Sequence, residues 1–423
     1  TETNLNSIIL KKLSSSEIYK NIRFLIKNED KRKKIQRDSF KNVIHDLDKN
    51  LVKIDQIRDE ILKNFSFNIN KNKNLKIIHI SNFGNRQANR LYNISIAKKI
   101  TNGLIRNGHD VVNISDRDVV RLNRGLKNFR KGSDYLNNLL LETVDNYRPD
   151  LMILGHVNNL QERTLEIAKN KYKNLKISQW FEDNLSKNGP DPITNKNNFF
   201  KYINHIDHSF VTSDPRALKI NKKFNCSYLP IPVDENIENL NCYKNENPIK
   251  DVFFTMSHGV NKGVLRKNKI DVREPFVKKL ISLNPNIIFD IYGYKDQQPI
   301  WSQDFYDSLY KSKMALNLSR INNVKYYSSN RIASLIGNGI LTFVDINTKL
   351  NDFFNNDEVV FYKDIRDLSE KIKFYKENSK KRIRVAKNGK KKYFKLFNNK
   401  VVSDYICSRI YGKKPLKSFS WMK

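Results

Sequence analysis

Residues 326–345 have the types and spacing best suited to chemistry in this sequence. Ser328, Ser329 and Asn330 are helix-capping residue types, and the basic side chain of Arg331 follows them directly. A helix that begins here directs free backbone N–H groups, hydroxyls and a guanidinium to one place. Such a place binds anions, and phosphate groups in particular. An ordinary helix-to-strand turn of an α/β domain is the alternative interpretation of the same residues.

The elements that would position this polar cluster come directly after it. Ile332, Leu335 and Ile336 recur at helical spacing, and Gly337 and Gly339 end the helix. The apolar run 340–344 then predicts a short, buried parallel strand. The stretch therefore predicts a polar loop, a short helix, a glycine stop and a strand.

The segments 330–332 and 337–342 resemble the C-terminal domain signature of GT-B glycosyltransferases, and in particular of the branch that includes the CgeB-like spore-maturation proteins. The resemblance continues through residues 352–354 and 358–371 and ends near Phe397. It is looser in the region before this signature. It implies a glycosyltransferase in which the helix before the glycine turn binds a nucleotide-sugar.

One position departs from the family pattern. Many retaining members carry a Glu five residues before the glycine, where it holds the ribose, whereas this chain has Ser334. The resemblance therefore leaves retaining and inverting chemistry open. A non-catalytic binding protein that kept the fold stays as an alternative from another functional class.

Length and composition predict a globular protein of two or three domains. The chain has 423 residues, of which 39% are hydrophobic and 11% aromatic. No run approaches the roughly 20 apolar residues that cross a bilayer, and the first residues do not resemble a signal peptide. Cys226, Cys242 and Cys407 are scattered, which argues against a disulfide framework or a zinc site. We expect a cytoplasmic protein.

The net charge of +34 has two interpretations. It favours anionic partners such as nucleic acid, sugar nucleotides or the anionic inner face of a membrane, where the protein could bind peripherally. Richness in Lys, Asn and Ile instead indicates compositional drift that adds lysines to solvated faces, and we favour this interpretation. The basic run 380–392 beside Tyr393 and Phe394 is accordingly predicted to be a solvated helix face rather than a nucleic-acid site.

Residues 1–70 are predicted to form a helical extension. Apolar residues step by threes and fours along it, which is typical of helix packing against helix. We expect a helical hairpin, and a coiled-coil homodimer through these helices is the alternative. The apolar positions are Phe40, Ile44, Leu47, Leu51, Ile54, Ile57 and Ile61.

A doubly wound α/β domain is predicted to begin at residue 71. A strand at 75–80, a loop, a helix at about 89–106 and a strand at 109–114 follow one another. The loop does not match Gly-x-Gly-x-x-Gly, so a dinucleotide site is not supported. Because loops after parallel strands lie where ligands bind, we assign Asn82 and Gly84 to the acceptor side.

Two later strand ends in this domain carry residues suited to acid–base chemistry. His156 follows the strand 151–155, and Asp183 follows the strand 176–180 within an aromatic and acidic segment. We expect them to be catalytic, because a carboxylate or imidazole there could accept the proton of an acceptor hydroxyl. The alternatives are that Asp183 caps a loop and that His156 bonds backbone carbonyls.

The second α/β domain follows the proline-rich, extended segment 228–234, which predicts an interdomain linker. After a strand at 251–255, a loop with two glycines contains His258, Asn261 and Lys262, which together suggest a phosphate cradle. The resemblance implies a basic residue here against the pyrophosphate, for which Lys262 or Arg266 would fit. Arg273, which opens the next helix, is a further diphosphate-binding candidate. Tyr294, after the strand 287–292, would border the base.

We therefore predict an α/β protein of the GT-B type, with domains at 71–235 and 236–398 and a C-terminal helix in 399–423 that crosses back. The donor is a nucleotide-sugar, with a UDP-sugar favoured, and it is a substrate rather than a cofactor. We expect no metal, because positive side chains can stabilise the departing diphosphate. The acceptor would be a glycan, a lipid-linked sugar or a protein. A phage-type DNA-base glycosyltransferase and a nucleotide- or nucleic-acid-binding protein are the alternatives.

Overall fold

A computed structural model describes residues 8, 10, 12–45, 51–57, 74–86, 95–125, 129–189, 191–221, 223–256, 271–295 and 297–422. The chain divides into two units, Thr1–Lys73 and Asn74–Lys423. His258, Asn261 and Lys262 lie outside the described residues, so their contact with phosphate stays a prediction. None of the helices in the described ranges has the length and apolar character that crossing a membrane requires.

The first unit is helical in its described part, as predicted. It contains α1 (Ser15–Lys27), α2 (Glu29–His45) and α3 (51–57). The Ser14 hydroxyl begins α1 by accepting a hydrogen bond from the Glu17 backbone N–H at 3.3 Å. Pairing with a second copy stays a prediction. Of the predicted packing positions, Phe40, Leu51, Ile54 and Ile57 are exposed, and the side chains of Ile44, Leu47 and Ile61 lie outside the described part.

The second unit begins with a parallel sheet whose strands are apolar runs buried on both faces. Its strands lie in the order β2-β1-β3-β4-β5-β6. Ile77 in β1 and Ile153 in β3 have no exposed surface. The strands are β1 (Lys76–Ser81), β2 (Asp110–Ser115), β3 (Leu151–Gly155), β4 (Lys176–Phe181), β5 (His208–Val211) and β6 (Cys226–Tyr228).

Helices connect these strands and cover the sheet. Ser95 begins the first of them by accepting a hydrogen bond from the Lys98 backbone N–H at 3.3 Å, so this helix starts later than the predicted residue 89. Two helices, at 116–123 and 192–200, were not predicted. The helices are α4 (Ile96–Arg106), α5 (Asp116–Asn123), α6 (Phe129–Tyr147), α7 (Glu162–Lys171) and α8 (Pro192–Phe200).

A second parallel sheet follows, in the order β11-β10-β9-β7-β8. Its strands are β7 (Lys250–Thr255), β8 (Phe289–Tyr292), β9 (Ser312–Asn317), β10 (Leu341–Asp345) and β11 (Val360–Tyr362). Its helices are α9 (Glu274–Ser282), α10 (Ser302–Tyr310), α11 (Arg331–Gly337), α12 (Ile365–Glu377) and α13 (Ser379–Phe397). Two doubly wound sheets in one chain confirm the predicted α/β fold class.

The extended segment after β6 and the last helix, α14 (Asn399–Ile410), connect the two sheets. The backbone N–H of Val233 donates to the Phe397 carbonyl, and that of Asn399 donates to the Val233 carbonyl, both at 2.9 Å. α14 packs against α4 at Gly103, where a Cβ would lie only 2.2 Å from the Asn399 carbonyl oxygen. This close approach requires glycine at position 103.

Charged groups also tie the connecting segment to α4. Lys99 Nζ lies 2.5 Å from Glu238 Oε1, and both side chains are fully buried. Arg106 Nη1 lies 2.7 Å from Asp234 Oδ1. An unpaired charge is costly in such a place, so these pairs hold the segment in one position.

Candidate active site

Each sheet has a point at which neighbouring strands lead to opposite sides. In the first sheet this point lies between β1 and β3, and in the second it lies between β7 and β9. Ligands of open α/β sheets bind at the carboxyl ends of such strands. In this protein the residues after all four strands line one cavity of about 600 Å³, a volume typical of small-molecule sites.

The cavity brings together predicted residues that are far apart in the sequence. Two further aromatic residues, Trp180 and Trp301, line it from the first and second domain respectively. The acceptor-side and catalytic predictions meet the donor-side predictions across this space. The predicted residues in the lining are Asn82, His156, Asp183, Arg273, Ser328, Ser329, Asn330 and Arg331.

His156 lies against two carboxylates on the first-domain side. Its Nδ1 is 3.6 Å from Asp183 Oδ2 and 3.8 Å from Glu182 Oε1, and its ring stacks on Phe181 with centroids 5.6 Å apart. Nδ1 is buried and makes no hydrogen bond. Within the described ranges His156 bonds no backbone carbonyl, so this alternative interpretation is not supported. An imidazole between two carboxylates is suited to accept or move a proton.

Glu182 is a site residue that sequence reasoning did not select, although it precedes Asp183. Its Oε2 accepts a hydrogen bond of 2.9 Å from Asn330 Nδ2, which joins the two domains across the cavity. Withdrawal from bulk water raises the pKa of the Glu182 carboxyl above its ordinary value, and the nearby His156 opposes this rise. The signal that could have identified Glu182 was its place beside Asp183 at a strand end.

Arg273 faces the cavity, and one edge of its guanidinium is bonded to a neighbouring carboxylate. Its Nε and Nη2 donate to the two carboxylate oxygens of Asp271 at 2.7 and 2.8 Å. Arg320 Nε donates to the same carboxylate at 3.3 Å. These guanidinium groups hold the pKa of Asp271 well below its usual range, against the opposing effect of burial. The Nε–Nη2 edge of Arg273 is therefore occupied, because Asp271 lies only two residues before it. Contact of Arg273 with a diphosphate stays a prediction, and it would use Nη1.

Arg331 makes contacts within the second domain that were not predicted. Its Nη1 donates to the Thr255 carbonyl at 2.7 Å and its Nη2 donates to the Leu318 carbonyl at 2.6 Å. Arg331 thus ties the ends of β7 and β9 together, and its guanidinium lies 5.0 Å from the ring centroid of Phe254. Burial, and then the charge of Arg273, lower its pKa, yet the group remains charged at neutral pH.

The helix N-terminus that was expected to bind an anion is less developed than predicted. α11 has seven residues, and the Asn330 side chain does not cap it. Ser328 Oγ accepts a hydrogen bond from Asn317 Nδ2 at 3.0 Å, so this hydroxyl is already engaged. Binding of a ligand here would therefore depend on side chains rather than on the helix end.

Several polar atoms of the lining are buried without a hydrogen-bond partner. They lie on both sides of the cavity: His156 Nδ1 on one side and Ser329 Oγ, Asn330 Oδ1 and Arg331 Nε on the other. Buried polar atoms in native proteins are nearly always paired with protein or water. A group of them around one cavity indicates a place where a polar ligand supplies the missing partners.

Two predicted residues do not line the cavity. Tyr294 is 8% exposed and packs in the apolar core beside β8, because the chain turns back after this strand at Gly293. Gly84 is buried in the loop after β1 and has φ of 62°, which a glycine adopts freely. Asp118 holds this loop by accepting the Asn85 backbone N–H at 2.7 Å. Further lining residues that were not predicted are Arg117, Thr255, Ile300, Trp301, Phe305, Arg320 and Tyr327.

The second domain matches a known family. Residues 267–408 match the family model described as glycosyl transferase-like. No curated protein is significantly similar to the chain in sequence. The matched segment includes α11, the strands β10 and β11 and the helices after them.

Solved structures of low sequence identity share the fold. An alpha-glucosyltransferase in complex with UDP-glucose and DNA containing an abasic site has a TM-score of 0.53 and 13% identity, over 80% of this chain and 99% of that one. A UDP-forming alpha,alpha-trehalose-phosphate synthase from Burkholderia xenovorans has a TM-score of 0.51 and 8% identity, over 81% and 100% of the chains. TarM has a TM-score of 0.47 and 13% identity, over 65% of this chain and 58% of its own. The two structures with TM-scores above 0.5 confirm the predicted GT-B fold, and the family match of residues 267–408 confirms the predicted class of enzyme, a glycosyltransferase.

Proposed function

We propose that the chain transfers a sugar from a nucleotide-sugar, with a UDP-sugar favoured, to an acceptor hydroxyl in the cavity between its two sheets. The observation that carries this proposal is the set of buried, unpartnered polar atoms on both sides of that cavity. The second domain, which contains the family match, supplies three of them. The names of solved neighbours include UDP and UDP-glucose complexes, and a CgeB-like branch is the relationship we propose.

The donor would lie against the second domain. Ser329 Oγ and Arg331 Nε are free to donate to the diphosphate, and Asn330 Oδ1 is free to accept from a hydroxyl of the donor. Ile300 and Trp301 offer an apolar and aromatic surface for the base. Arg273, Arg320 and Arg331 place positive charge at the same end of the cavity. Charge held in position before the reaction stabilises the departing diphosphate, so transfer without a metal is part of the proposal.

The acceptor would enter from the first domain. There the His156 imidazole lies beside Asp183 and Glu182. The acceptor hydroxyl would give up its proton to this cluster of one imidazole and two carboxylates while the hydroxyl oxygen bonds to the sugar. Asp183 retains 45% of its side-chain exposure, so it is open to the cavity rather than closed off in a loop. A glycan, a lipid-linked sugar or a protein is the acceptor class we favour over duplex DNA. A cytoplasmic enzyme that binds the membrane peripherally is part of the same proposal.

A panel of radiolabelled UDP-, GDP- and ADP-sugars tests the proposal. We expect slow hydrolysis of one donor by the purified chain, and we expect this hydrolysis to persist in EDTA. Asp183→Asn should lower the rate about 10²–10⁴-fold, the usual contribution of general acid–base catalysis. Glu166→Gln, which changes an exposed carboxylate on α7, is the matched control and should leave the rate unchanged. Absence of turnover with every donor would contradict the proposed transfer from a nucleotide-sugar. Complete loss of hydrolysis on chelation would contradict transfer without a metal.

A further inference from the structure

The positively charged side chains of the cavity are not equivalent. Among the described residues, the guanidinium groups of Arg117, Arg273, Arg320 and Arg331 line it. Arg273 and Arg320 are bonded to Asp271, and Arg331 is bonded to two backbone carbonyls. All three belong to the second domain, and each already donates at least one hydrogen bond to the protein itself.

Arg117 belongs to the first domain and is held differently. It stands at the start of α5, directly after β2, and is half-buried. Within the described part of the chain its guanidinium makes no hydrogen bond and no ion pair. Three arginines of the cavity are thus engaged by the protein, whereas the hydrogen-bond donors of Arg117 remain available to a ligand.

The nearest carboxylates do not neutralise Arg117 by direct contact. Asp116 Oδ2 accepts hydrogen bonds from the Asn158 backbone N–H and from Asn159 Nδ2, at 3.3 and 3.1 Å. Glu182 Oε2 accepts its hydrogen bond from Asn330. Burial raises the pKa of both carboxyls, and the charge of Arg117 partly opposes this rise. The field of Arg117 therefore reaches the acid–base group, while its hydrogen-bond donors stay available.

We infer that Arg117 forms an anion subsite for the acceptor, so that the acceptor carries a phosphate or carboxylate near the hydroxyl that receives the sugar. This inference rests on the proposed function. Arg117 shares its side of the cavity with His156 and Asp183 and lies in the domain opposite the donor groups. A guanidinium matches the two oxygens of either anion with parallel N–H donors. The first domain also lines the cavity with the small polar or apolar side chains of Ser81, Asn82, Ser95 and Ala97.

A single arginine inside a cavity favours a small anionic group over a nucleic-acid duplex. Duplex binding depends on many phosphate contacts across a surface. The cavity of about 600 Å³ must also receive the donor, which leaves space for the terminal unit of an acceptor. A phosphorylated or carboxylated polyol or sugar is therefore the substrate class that the geometry assigns to this subsite.

The test separates the acceptor subsite from the donor site. The chain is first saturated with whichever of UDP, GDP and ADP binds best, and glycerol, glycerate and glycerol 3-phosphate are then titrated by calorimetry. We expect one of the two anions to bind at least tenfold more tightly than glycerol. In Arg117→Gln we expect this ratio of affinities to fall at least tenfold. The affinity for the nucleoside diphosphate should be equal in the variant. The control Arg121→Gln changes an exposed arginine one turn later on α5 and should alter neither affinity.

The outcomes are distinguishable. If no nucleoside diphosphate binds, the proposed function fails. If a nucleoside diphosphate binds but glycerol and both anions bind alike, or the preference survives Arg117→Gln, the subsite inference fails alone. Loss of nucleoside diphosphate affinity in Arg117→Gln would assign the residue to the donor and would also overturn the inference. Vesicles of phosphatidylglycerol, compared with soluble glycerol 3-phosphate, show whether a lipid or a free phosphate carries the preferred anion.

Discussion

Replacement of Arg331 tests whether this residue holds the second sheet together or only binds a ligand. Arg331→Met removes the hydrogen bonds to the carbonyls of Thr255 and Leu318. A hydrogen bond to a charged group contributes about 1.5–3 kcal/mol, so the two bonds predict a loss of about 3–6 kcal/mol in the free energy of unfolding. This is a large fraction of the stability of a typical domain. Arg331→Lys can keep one of the two bonds and should lose about half as much.

Denaturant unfolding followed by circular dichroism measures this loss, and calorimetry with UDP measures the accompanying change in affinity. Arg366→Met, which removes an exposed positive charge from α12, is the control and should unfold at the wild-type denaturant concentration. If Arg331→Met also unfolds like the wild type but binds UDP tenfold or more weakly, the tie between β7 and β9 does not matter for stability. Arg331 would then act as a direct diphosphate ligand, as the sequence pattern first suggested.

Three further variants have expected outcomes in stability measurements. Glu182→Gln should be more stable than the wild type at neutral pH, because the folded protein raises the pKa of this carboxyl and so disfavours its charge. The difference in stability should shrink as the pH falls through that raised pKa, and a wild type that is more stable at neutral pH would contradict the prediction. Lys99→Met should lower the free energy of unfolding by about 3–5 kcal/mol in denaturant titrations, since Glu238 is left buried and unpaired. The double variant with Glu238→Gln should recover much of this loss. Gly155→Ala would place a Cβ 2.2 Å from Trp180 Cζ2 and should lower the free energy of unfolding by about 1–3 kcal/mol. An unchanged midpoint of thermal unfolding would contradict this and show that the tryptophan moves freely.

The sheets were predictable because their strands are short apolar runs that differ clearly from the polar segments around them. β3 begins and ends at the predicted residues, and β7 and β10 differ from prediction by one residue at one or both ends. α5 was missed for the opposite reason. It starts at Asp116, directly after β2 ends at Ser115, with no glycine or proline between the two elements. Arg117, which this helix positions, was therefore missed as well.

The roles of individual site residues were harder to predict because they depend on partners that are distant in sequence. Asn330 was predicted as a helix cap, yet its amide bonds Glu182 of the other domain. Arg331 was predicted as a phosphate ligand, but the carbonyls that accept its hydrogen bonds follow two other strands. Arg273 is different, because Asp271 stands two residues before it and a local ion pair could have been expected. Tyr294 follows a strand end as a ligand residue would, and only the turn after it shows that the ring packs inward.

Structure determination of the chain with bound UDP is the most direct test of the proposed donor site. We predict that the nucleotide occupies the cavity between the two sheets, with its diphosphate within hydrogen-bond distance of Ser329 Oγ or Arg331 Nε and its base near Trp301. Binding of UDP outside this cavity, or a cavity that stays empty at saturating UDP, would contradict the proposal that a nucleotide-sugar is the substrate held there.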